Sequence, residues 1–249
     1  MTSRFADLDF EGFKELAKDP SLSRHEKVGF PDSYRAGKEE AILLDIRRKL
    51  SNLERPKQRV LDVGPGCGGV AAGMIALCRQ QDHRLTLIDS AEMLDLLPDE
   101  DGLVTKLAAR FPEGCGGFLA ENRGRLDAIL VYSVLQYVFR EANVHAFFDA
   151  CLDLLADGGQ LLIGDVPNRS MRRRFFASAA GLRFHQDFTG RVEAPRVDFN
   201  QLEPGLIDDA ALVGLLLRAR TAGYHAFLVP QAADLPMANR REDLLVVRP

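Results

Sequence analysis

The stretch Val60-Leu-Asp-Val-Gly-Pro-Gly-Cys-Gly-Gly69 decides the fold of this 249-residue chain. Its first four residues are typical of a buried strand, and a helical pattern follows over Gly69–Arg79. Glycines at the junction let the backbone turn sharply and approach a ligand closely, while the free amides at the start of the helix face that ligand. The stretch therefore predicts a strand, a ligand-binding loop and a helix in succession.

Short apolar runs alternate with helical patterns along the rest of the chain. The runs predict buried strands at Val60–Val63, Leu85–Ile88, Ala128–Tyr132 and Gln160–Ile163. The spacing predicts helices at Gly69–Arg79, Ala91–Leu97 and Val144–Leu155. This order indicates right-handed βαβ units and a parallel sheet covered on both faces. Near the C-terminus no helical pattern separates Tyr224–Val229 from Leu244–Val247, which predicts an antiparallel pair at the edge of the sheet.

Residues 1–55 lack this alternation, and we expect them to form an N-terminal helical arm or lid on a single domain that spans 56–249. Apolar residues recur at helical spacing in two parts of the arm, between Phe5 and Ala17 and between Ala41 and Leu53. Between these two stripes, Ser23 and Glu26 have the spacing of a capping box.

Composition and charge exclude several classes of protein. The chain is 46% hydrophobic and 27% charged, and its 21 Gly and 12 Pro are too few for a collagen-like or low-complexity sequence. No apolar run approaches the ~18 residues of a membrane helix, and the first residues lack the pattern of a secretory signal. The net charge of −4 argues against a general nucleic-acid binder. We expect a cytoplasmic protein with no membrane or nucleic-acid partner, and leave homo-oligomerisation open.

The four cysteines are Cys67, Cys78, Cys115 and Cys151, and their scattered positions form neither a CxxC pair nor a Cys/His cluster. That spacing disfavours a structural zinc site, and thiols in a chain without an export signal stay reduced. We therefore expect no metal and no disulfide. Cys67 lies inside the glycine loop, where a small side chain fits by packing.

Two carboxylates accompany the glycine loop. Gly64, Gly66 and Gly69 satisfy the GxGxxG pattern. Asp89 follows at the end of the next strand, so the glycines and Asp89 also fit a dinucleotide site. Asp62 lies two residues before the first glycine, in an otherwise apolar strand. An anionic pyrophosphate gains nothing from a carboxylate there, whereas a ligand with ammonium and sulfonium charges does. Asp62 therefore favours a cationic cofactor.

The loop and its two carboxylates resemble motif I and the second motif of the class I S-adenosylmethionine-dependent methyltransferases, whose first motif is (D/E)xGxGxG. Later stretches are similar to further parts of that family in the expected order: Leu85–Leu94, Arg125–Tyr137, Leu155–Gly164 and the C-terminal strand pair. The resemblance covers Arg59 to the C-terminus. It implies a Rossmann-like, doubly wound, mostly parallel seven-stranded sheet with an antiparallel terminal strand, and S-adenosyl-L-methionine as the cofactor.

The resemblance also implies a set of cofactor-binding residues, in which Asp89 takes the two ribose hydroxyls. The family often places an acidic or polar residue after the third strand, against the adenine amino group. This chain has Leu107-Ala-Ala-Arg-Phe111 there, so backbone and apolar contacts are expected instead. The predicted cofactor-binding residues are Asp62, Gly64, Pro65, Gly66, Cys67, Gly68, Asp89, Ser90, Met93, Leu107, Ala108, Tyr132 and Ser133.

Three residues are predicted to be catalytic. Methyl transfer from a sulfonium is an in-line displacement that depends on alignment, and a general base helps when the acceptor is a hydroxyl. Tyr132 follows the fourth strand, Asp165 follows the fifth, and His185 lies in the long segment after it. Each also has a structural interpretation: Tyr132 as an aromatic at the sheet edge, Asp165 as a helix cap, and His185 as a structural histidine.

Basic and polar residues near these positions are predicted to bind the acceptor. An arginine run follows the fifth strand, where bidentate guanidinium groups would suit a phosphate or carboxylate, although such runs are more often solvated helix faces. In the arm, Tyr34 and Arg35 either close over the cofactor or form a simple turn. The predicted substrate-binding residues are Tyr34, Arg35, Gln136, Asn168, Arg169, Arg172 and Arg173.

These observations predict an S-adenosylmethionine-dependent methyltransferase that acts on a small molecule, more on oxygen than on nitrogen, with an anionic acceptor as one option. The first alternative is an NAD(P)-dependent oxidoreductase built on the same glycines. A non-catalytic adenosyl-ligand-binding module is the second, and aminopropyl transfer with the decarboxylated cofactor is a third. No Asn-Pro-Pro-Tyr/Phe motif of base-flipping enzymes follows the fourth strand.

Overall fold

The computed structural model describes residues 8–201 and 203–249. These residues contain seven strands: β1 Arg59–Val63, β2 Arg84–Asp89, β3 Val104–Ala108, β4 Leu126–Tyr132, β5 Leu155–Pro167, β6 His225–Pro230 and β7 Arg241–Val247. They also contain twelve α-helices: α1 Phe10–Lys18, α2 Arg24–Lys27, α3 Asp32–Arg35, α4 Glu39–Lys49, α5 Gly69–Gln80, α6 Ala91–Leu94, α7 Gly116–Asn122, α8 Leu135–Glu141, α9 Val144–Leu154, α10 Arg169–Phe176, α11 Ala179–Thr189 and α12 Asp209–Thr221. Short 3₁₀ turns lie at Ser51–Glu54 and Ala238–Arg240.

All seven strands form one sheet in the order β3-β2-β1-β4-β5-β7-β6. Strands β1 to β5 are parallel, and β7 runs antiparallel to both β5 and β6. The predicted Rossmann-like sheet with an antiparallel terminal strand is confirmed. The strand order reverses between β1 and β4, and doubly wound sheets bind ligands at the carboxyl ends of the strands beside such a reversal.

Apolar side chains cover both faces of the sheet, because successive residues of a strand point to opposite sides. In β4, Ile129 and Val131 face a hydrophobic cluster that includes α9 and α12. Ala128 and Leu130 face a second cluster that includes α4 and α5. This double coverage explains why the strands are visible in the sequence as near-continuous apolar runs.

The N-terminal segment contributes helices α1 to α4, and its first seven residues lie outside the described part of the chain. The buried Ile42 and Ile46 pack α4 into the cluster beside α5. In contrast, Phe13 and Val28 pack near the glycine loop. The capping box predicted before α2 is present, with the hydroxyl of Ser23 and the carboxylate of Glu26 each bonded to the other residue's amide.

Several elements differ in length from the prediction, among them α6 and β5. Helix α6 ends at Leu94, and the amides of Leu96 and Leu97 form tighter i→i+3 bonds, because Pro98 disfavours helical geometry at the residue before it. Strand β5 begins at Leu155 rather than Gln160: Leu155 pairs with Leu126, and the pairing shifts register before Gln160. Among residues 8–201 and 203–249, no helix combines the length and apolar character that a membrane span requires.

Candidate functional site

A pocket lies at the carboxyl ends of β1, β2 and β4, and its cavity volume is about 190 Å³. The glycine loop forms one side of it. Side chains from α1 to α4 form another, so the N-terminal arm covers the ends of the strands.

The glycine loop requires glycine at two positions. Gly64 and Gly66 have φ angles of +69° and +61°, in the left-handed region that disfavours other residues. A Cβ atom at Gly64 would lie 2.6 Å from Cγ2 of Val134, and one at Gly66 would lie 2.6 Å from Cγ1 of Val28. Gly68 is the N-cap of α5 and supplies no side-chain acceptor, which leaves the first amides of α5 available to a ligand.

Asp62 is a buried carboxylate in this pocket. Its side chain lies at the end of β1, the residue is 2% exposed, and none of the described residues donates a hydrogen bond to it. Burial, and to a lesser degree the charge of Asp89, raises the pKa of Asp62 to about 8. An unpaired buried carboxylate is costly, and a cation bound beside it removes that cost.

Asp89 lies at the end of β2, where its carboxylate also organises the glycine loop. One oxygen accepts from the amide of Gly66 at 2.9 Å, and the other accepts from the amide of Ser90 at 2.7 Å. Desolvation raises the pKa of Asp89 to about 6, although these two hydrogen bonds oppose the rise. Each oxygen keeps a second lone pair for a ligand hydroxyl.

The structure divides the remaining predicted cofactor residues. Those whose side chains or backbone line the pocket are Pro65, Gly68, Met93, Tyr132 and Ser133. Ser90 instead caps α6, and Cys67 packs in a cluster with Ala17 and Met93. Leu107 and Ala108 are paired with β2 inside the sheet, and the pocket is lined by the next three residues, Ala109 to Phe111. The pocket-lining residues therefore come two positions later than predicted, because ligands in such sheets contact the loop after a strand rather than the strand itself.

The arm supplies pocket residues that the sequence analysis missed, among them Phe10, Phe13, His25, Phe30 and Glu39. Phe13 packs edge-to-face on Tyr137 of α8, with ring centroids 4.9 Å apart. The amide of Phe10 donates to the carboxylate of Glu141 at 3.3 Å. The signal in the sequence was the pair of aromatic residues one helical turn apart on α1, Phe10 and Phe13.

His25 bridges the arm. Its ring nitrogens bond to the carboxylates of Asp32, at 2.8 Å, and Glu39. Burial alone would lower the pKa of His25, but the hydrogen bonds to Glu39 and Asp32 outweigh it and raise the pKa. With a carboxylate at each ring nitrogen, the protonated, positively charged form of the imidazole is favoured.

Asp165 is the centre of a buried ionic network. Its Oδ2 atom accepts from Arg35 Nη2 at 2.7 Å, from Arg241 Nη1 at 2.6 Å and from the hydroxyl of Ser133. Burial alone would raise the pKa of Asp165, but the charges of Arg241 and Arg35 lower it below its usual value. The side chain does not line the pocket. This arrangement does not fit the predicted general base, because the carboxylate is occupied; it positions Arg35 instead.

Arg35 connects this network to the pocket, as the predicted substrate residue that does reach it. Its guanidinium group stacks on Phe30, with Cζ 4.0 Å from the ring centroid, and also donates to Ser133 at 2.8 Å. The Nε atom is buried without a hydrogen-bond partner among the described residues. A ligand carboxylate or another acceptor in the pocket would satisfy it.

Tyr132 lines the pocket at the end of β4, and its ring lies against Gly164, where a Cβ atom would be 2.5 Å from Cδ2. Burial, together with the charges of Asp165 and Asp243, raises the pKa of the phenol well above its usual value. The hydroxyl therefore stays protonated at neutral pH and acts as a donor. Gln136 donates to the carbonyl of Ser133 at 2.7 Å and does not line the pocket.

The residues after β5 are placed outside the pocket. Asn168 caps α10 and donates to Asp209 and Glu242, so its role is structural. Arg169 and Arg173 are both paired with Glu203. Glu203 lies 34 residues after Arg169 and 30 residues after Arg173 in the chain. This separation explains why the two arginines looked unpaired in the sequence. The other predicted residues that do not line the pocket are Tyr34, Arg172 and His185.

The arrangement can bind a ligand of mixed charge. Two carboxylates and the glycine loop lie at one side, and a buried guanidinium group lies at another. The described residues contain no group of three or more His, Cys, Asp or Glu side chains placed to hold a metal ion. The four cysteines are buried free thiols.

Neither a protein-family model nor a curated protein sequence matches the chain. Solved structures do. The N-methyltransferase NodS from Bradyrhizobium japonicum WM9, in complex with S-adenosyl-L-homocysteine, is 14% identical, with 98% of this chain and 100% of NodS covered and a TM-score of 0.57. The plantazolicin methyltransferase BpumL, also with S-adenosyl-L-homocysteine, is 13% identical, with 96% and 98% covered and a TM-score of 0.59. The chain therefore has the fold of the class I S-adenosylmethionine-dependent methyltransferases.

Proposed function

We propose that this protein is an S-adenosylmethionine-dependent methyltransferase. The observation that carries the proposal is Asp62, a buried carboxylate that lines the pocket beside the glycine loop and receives no hydrogen bond from the described residues. A ligand with an ammonium and a sulfonium group supplies the missing positive charge, whereas a dinucleotide supplies none. The fold supports the same proposal, and an NAD(P)-dependent oxidoreductase is not favoured.

The residues present fit the cofactor. Asp62 would bind its ammonium group, Asp89 would accept from the ribose hydroxyls, and the loop amides around Gly66 would approach it closely. Met93 and Phe111 would border the adenine. The cofactor supplies an electrophilic methyl group; the protein's part is to align the acceptor with it and to exclude water.

The proposed acceptor is a small molecule that reacts through oxygen. Methyl transfer to a hydroxyl gains from a general base, but both ring nitrogens of the pocket-lining His25 are already bonded to Asp32 and Glu39, so His25 is not assigned that role. Tyr132 would donate a hydrogen bond to the acceptor, and Arg35 would bind a carboxylate through its free Nε atom. The net charge of −4 favours a small molecule over nucleic acid. Cytoplasmic location and homo-oligomerisation stay predictions.

Calorimetric titration tests the proposal with three ligands: S-adenosylmethionine, S-adenosylhomocysteine and NADH. We expect both adenosyl ligands to bind and NADH not to bind. Asp62→Asn should weaken adenosyl binding by about tenfold or more, equivalent to about 1.4 kcal/mol. Asp153→Asn is the matched control, because Asp153 forms an exposed pair with Arg123.

Binding of NADH alone would refute the proposal in favour of the oxidoreductase. If none of the three ligands bound, the protein would not be an adenosyl-dependent enzyme. If the wild type and Asp62→Asn bound the adenosyl ligands with equal affinity, Asp62 would not contribute to their binding. The proposal would then lose its main support.

A further inference from the structure

A group of cations and aromatic rings lies on α10, α11 and the 3₁₀ turn before β7. We call Arg172, Arg240, Phe176 and Phe184 the Arg–Phe cluster. The Cζ atom of Arg172 lies 4.9 Å from the ring centroid of Phe176. The Cζ atom of Arg240 lies 5.8 Å from the same centroid and 5.2 Å from that of Phe184. Two guanidinium groups therefore share one aromatic ring.

The two guanidinium groups of the cluster differ from their neighbours in having no carboxylate partner among the described residues. Arg169 and Arg173, on the same helix as Arg172, both pair with Glu203. Arg174 pairs with Asp209. The other arginines of α10 thus form direct salt bridges, whereas no described carboxylate lies within salt-bridge distance of Arg172 or Arg240.

Like charges around the cluster make that positive charge unfavourable. Desolvation lowers the pKa of Arg240, and the charges of Arg241 and Arg172 lower it further. The pKa of Arg172 is lowered by desolvation and by the charge of Arg169, although the charge of Glu203 partly opposes the change. An anion bound between the two groups would offset this repulsion and could receive bidentate hydrogen bonds from either guanidinium.

The cluster adjoins the pocket. Arg240 directly precedes Arg241, whose Cζ atom lies 5.7 Å from the ring centroid of Phe30. Phe30 lines the pocket and stacks on Arg35. Arg241 also pairs in the sheet with Pro167, at the carboxyl end of β5, so the cluster lies on the ligand-binding edge of the sheet.

The cluster also offers an apolar surface. Phe184 is 37% exposed and Phe188 is 68% exposed, and their rings stack in parallel with centroids 6.1 Å apart. Exposed aromatic faces beside guanidinium groups suit a ligand that carries an apolar or aromatic portion next to its anion.

We propose that Arg172 and Arg240 bind an oxyanion of the methyl acceptor, a carboxylate or a phosphate, and that the apolar portion of the acceptor rests on Phe176 and Phe184. The assignment of this ligand as the acceptor rests on the proposed function, whereas the anion site itself does not. The proposal replaces most of the predicted arginine set: Arg169 and Arg173 are occupied by Glu203, and Arg240 takes their place.

Calorimetry at constant ionic strength tests the site with phenyl phosphate, benzoate and uncharged phenol. We expect one or both anions to bind the wild type with saturation, and phenol to bind at least tenfold more weakly. Arg172→Gln and Arg240→Gln should each weaken anion binding by about tenfold. Arg174→Gln, on the same helix but paired with Asp209, should leave it unchanged. The ratio of affinities for phenyl phosphate and benzoate distinguishes the two oxyanions.

The proposal is overturned if neither anion saturates the wild type, or if Arg174→Gln weakens binding as much as the cluster variants do. Titration of S-adenosylhomocysteine into each variant separates the two proposals. If the adenosyl ligand binds as expected and the wild type binds neither anion, the anion site is refuted and the proposed function is unaffected. Anion binding without adenosyl binding would refute the proposed function and leave the site in place.

Discussion

Replacing Asp165 by Asn tests whether this carboxylate anchors the arm or acts as a base. The substitution preserves the volume of the side chain and removes the charge shared by Arg35 and Arg241, whose side chains are 9% and 11% exposed. Both guanidinium groups would then remain buried with one neutral acceptor between them. The variant therefore isolates the ionic part of the network.

The expected loss of stability follows from this burial. Removing one partner of a buried pair costs ~3–5 kcal/mol, and the amide oxygen of Asn still accepts one hydrogen bond, so we expect about 3 kcal/mol. With a urea m-value of about 3 kcal/mol/M, the midpoint of unfolding would fall by roughly 1 M. Asp149→Asn is the control: Asp149 and its partner Arg218 are 45% and 43% exposed, and such pairs contribute ~0–1 kcal/mol.

The pH dependence gives a second measurement of the same substitution. Because the folded-state pKa of Asp165 is lowered from 3.8, the ionised carboxylate stabilises the fold at every pH above 3.8. That stabilisation is lost only as the pH falls through the lowered folded-state pKa. The difference between wild type and variant should therefore be constant from pH 5 to pH 7 and shrink only below about pH 3.8.

Urea unfolding followed by circular dichroism provides both readouts. The anchoring role is refuted if Asp165→Asn loses no more stability than Asp149→Asn. A variant with unchanged stability and a kcat that falls steeply would instead restore the role of base that the sequence suggested.

Three further substitutions test the loop, the cofactor carboxylate and the arm. Gly66→Ala introduces a Cβ atom 2.6 Å from Cγ1 of Val28 at a φ of +61°, so affinity for S-adenosylhomocysteine should fall about tenfold or more by calorimetry. Val28→Ala in the same chain should restore part of the loss, and full retention of affinity by Gly66→Ala alone would contradict the close approach. Since the empty-pocket pKa of Asp62 is about 8, binding of a cationic ligand should release protons at pH 7 and tighten as the pH rises toward 8. Calorimetry in buffers of different ionisation enthalpy measures this release, and its persistence in Asp62→Asn would assign it to another group. The raised pKa of His25 stabilises the fold fully below pH 6.5, and this contribution disappears as the pH rises through the folded-state pKa. His25→Gln should therefore lower stability at pH 6 and have little effect at pH 9, and an equal effect at both values would exclude the ionic contribution.

The local parts of the site could be predicted from the sequence. Asp62, Gly64 and Gly66 lie within five residues of one another, and a strand that enters a glycine loop brings them together in any context. The position of Asp89 can be predicted in the same way, because β2 runs parallel to β1 and ends at the same edge of the sheet. The βαβ pattern alone therefore predicts that these residues lie together at the carboxyl ends of two neighbouring strands.

The partners of charged side chains could not be predicted in this way. Asp165 looked like a free base because Arg35 and Arg241 lie 130 and 76 residues away. Arg169 looked available to a substrate because its partner Glu203 lies 34 residues further on, in a segment with no recognisable pattern. In each case a charge that the sequence leaves open is neutralised by the folded chain.

The sequence by itself determined the alternation of the core strands and helices, the glycine loop and its two carboxylates, because each depends on neighbouring residues and on the period of the chain. Only the tertiary structure decided which residues face the ligand beyond that loop: His25 and Phe30 from the arm, with Arg35 held by Asp165, and the charge left open at Arg172 and Arg240. Burial and ion pairing depend on segments that lie far apart in the chain and come into contact only when the sheet is assembled. A local sequence pattern carries no information about such contacts.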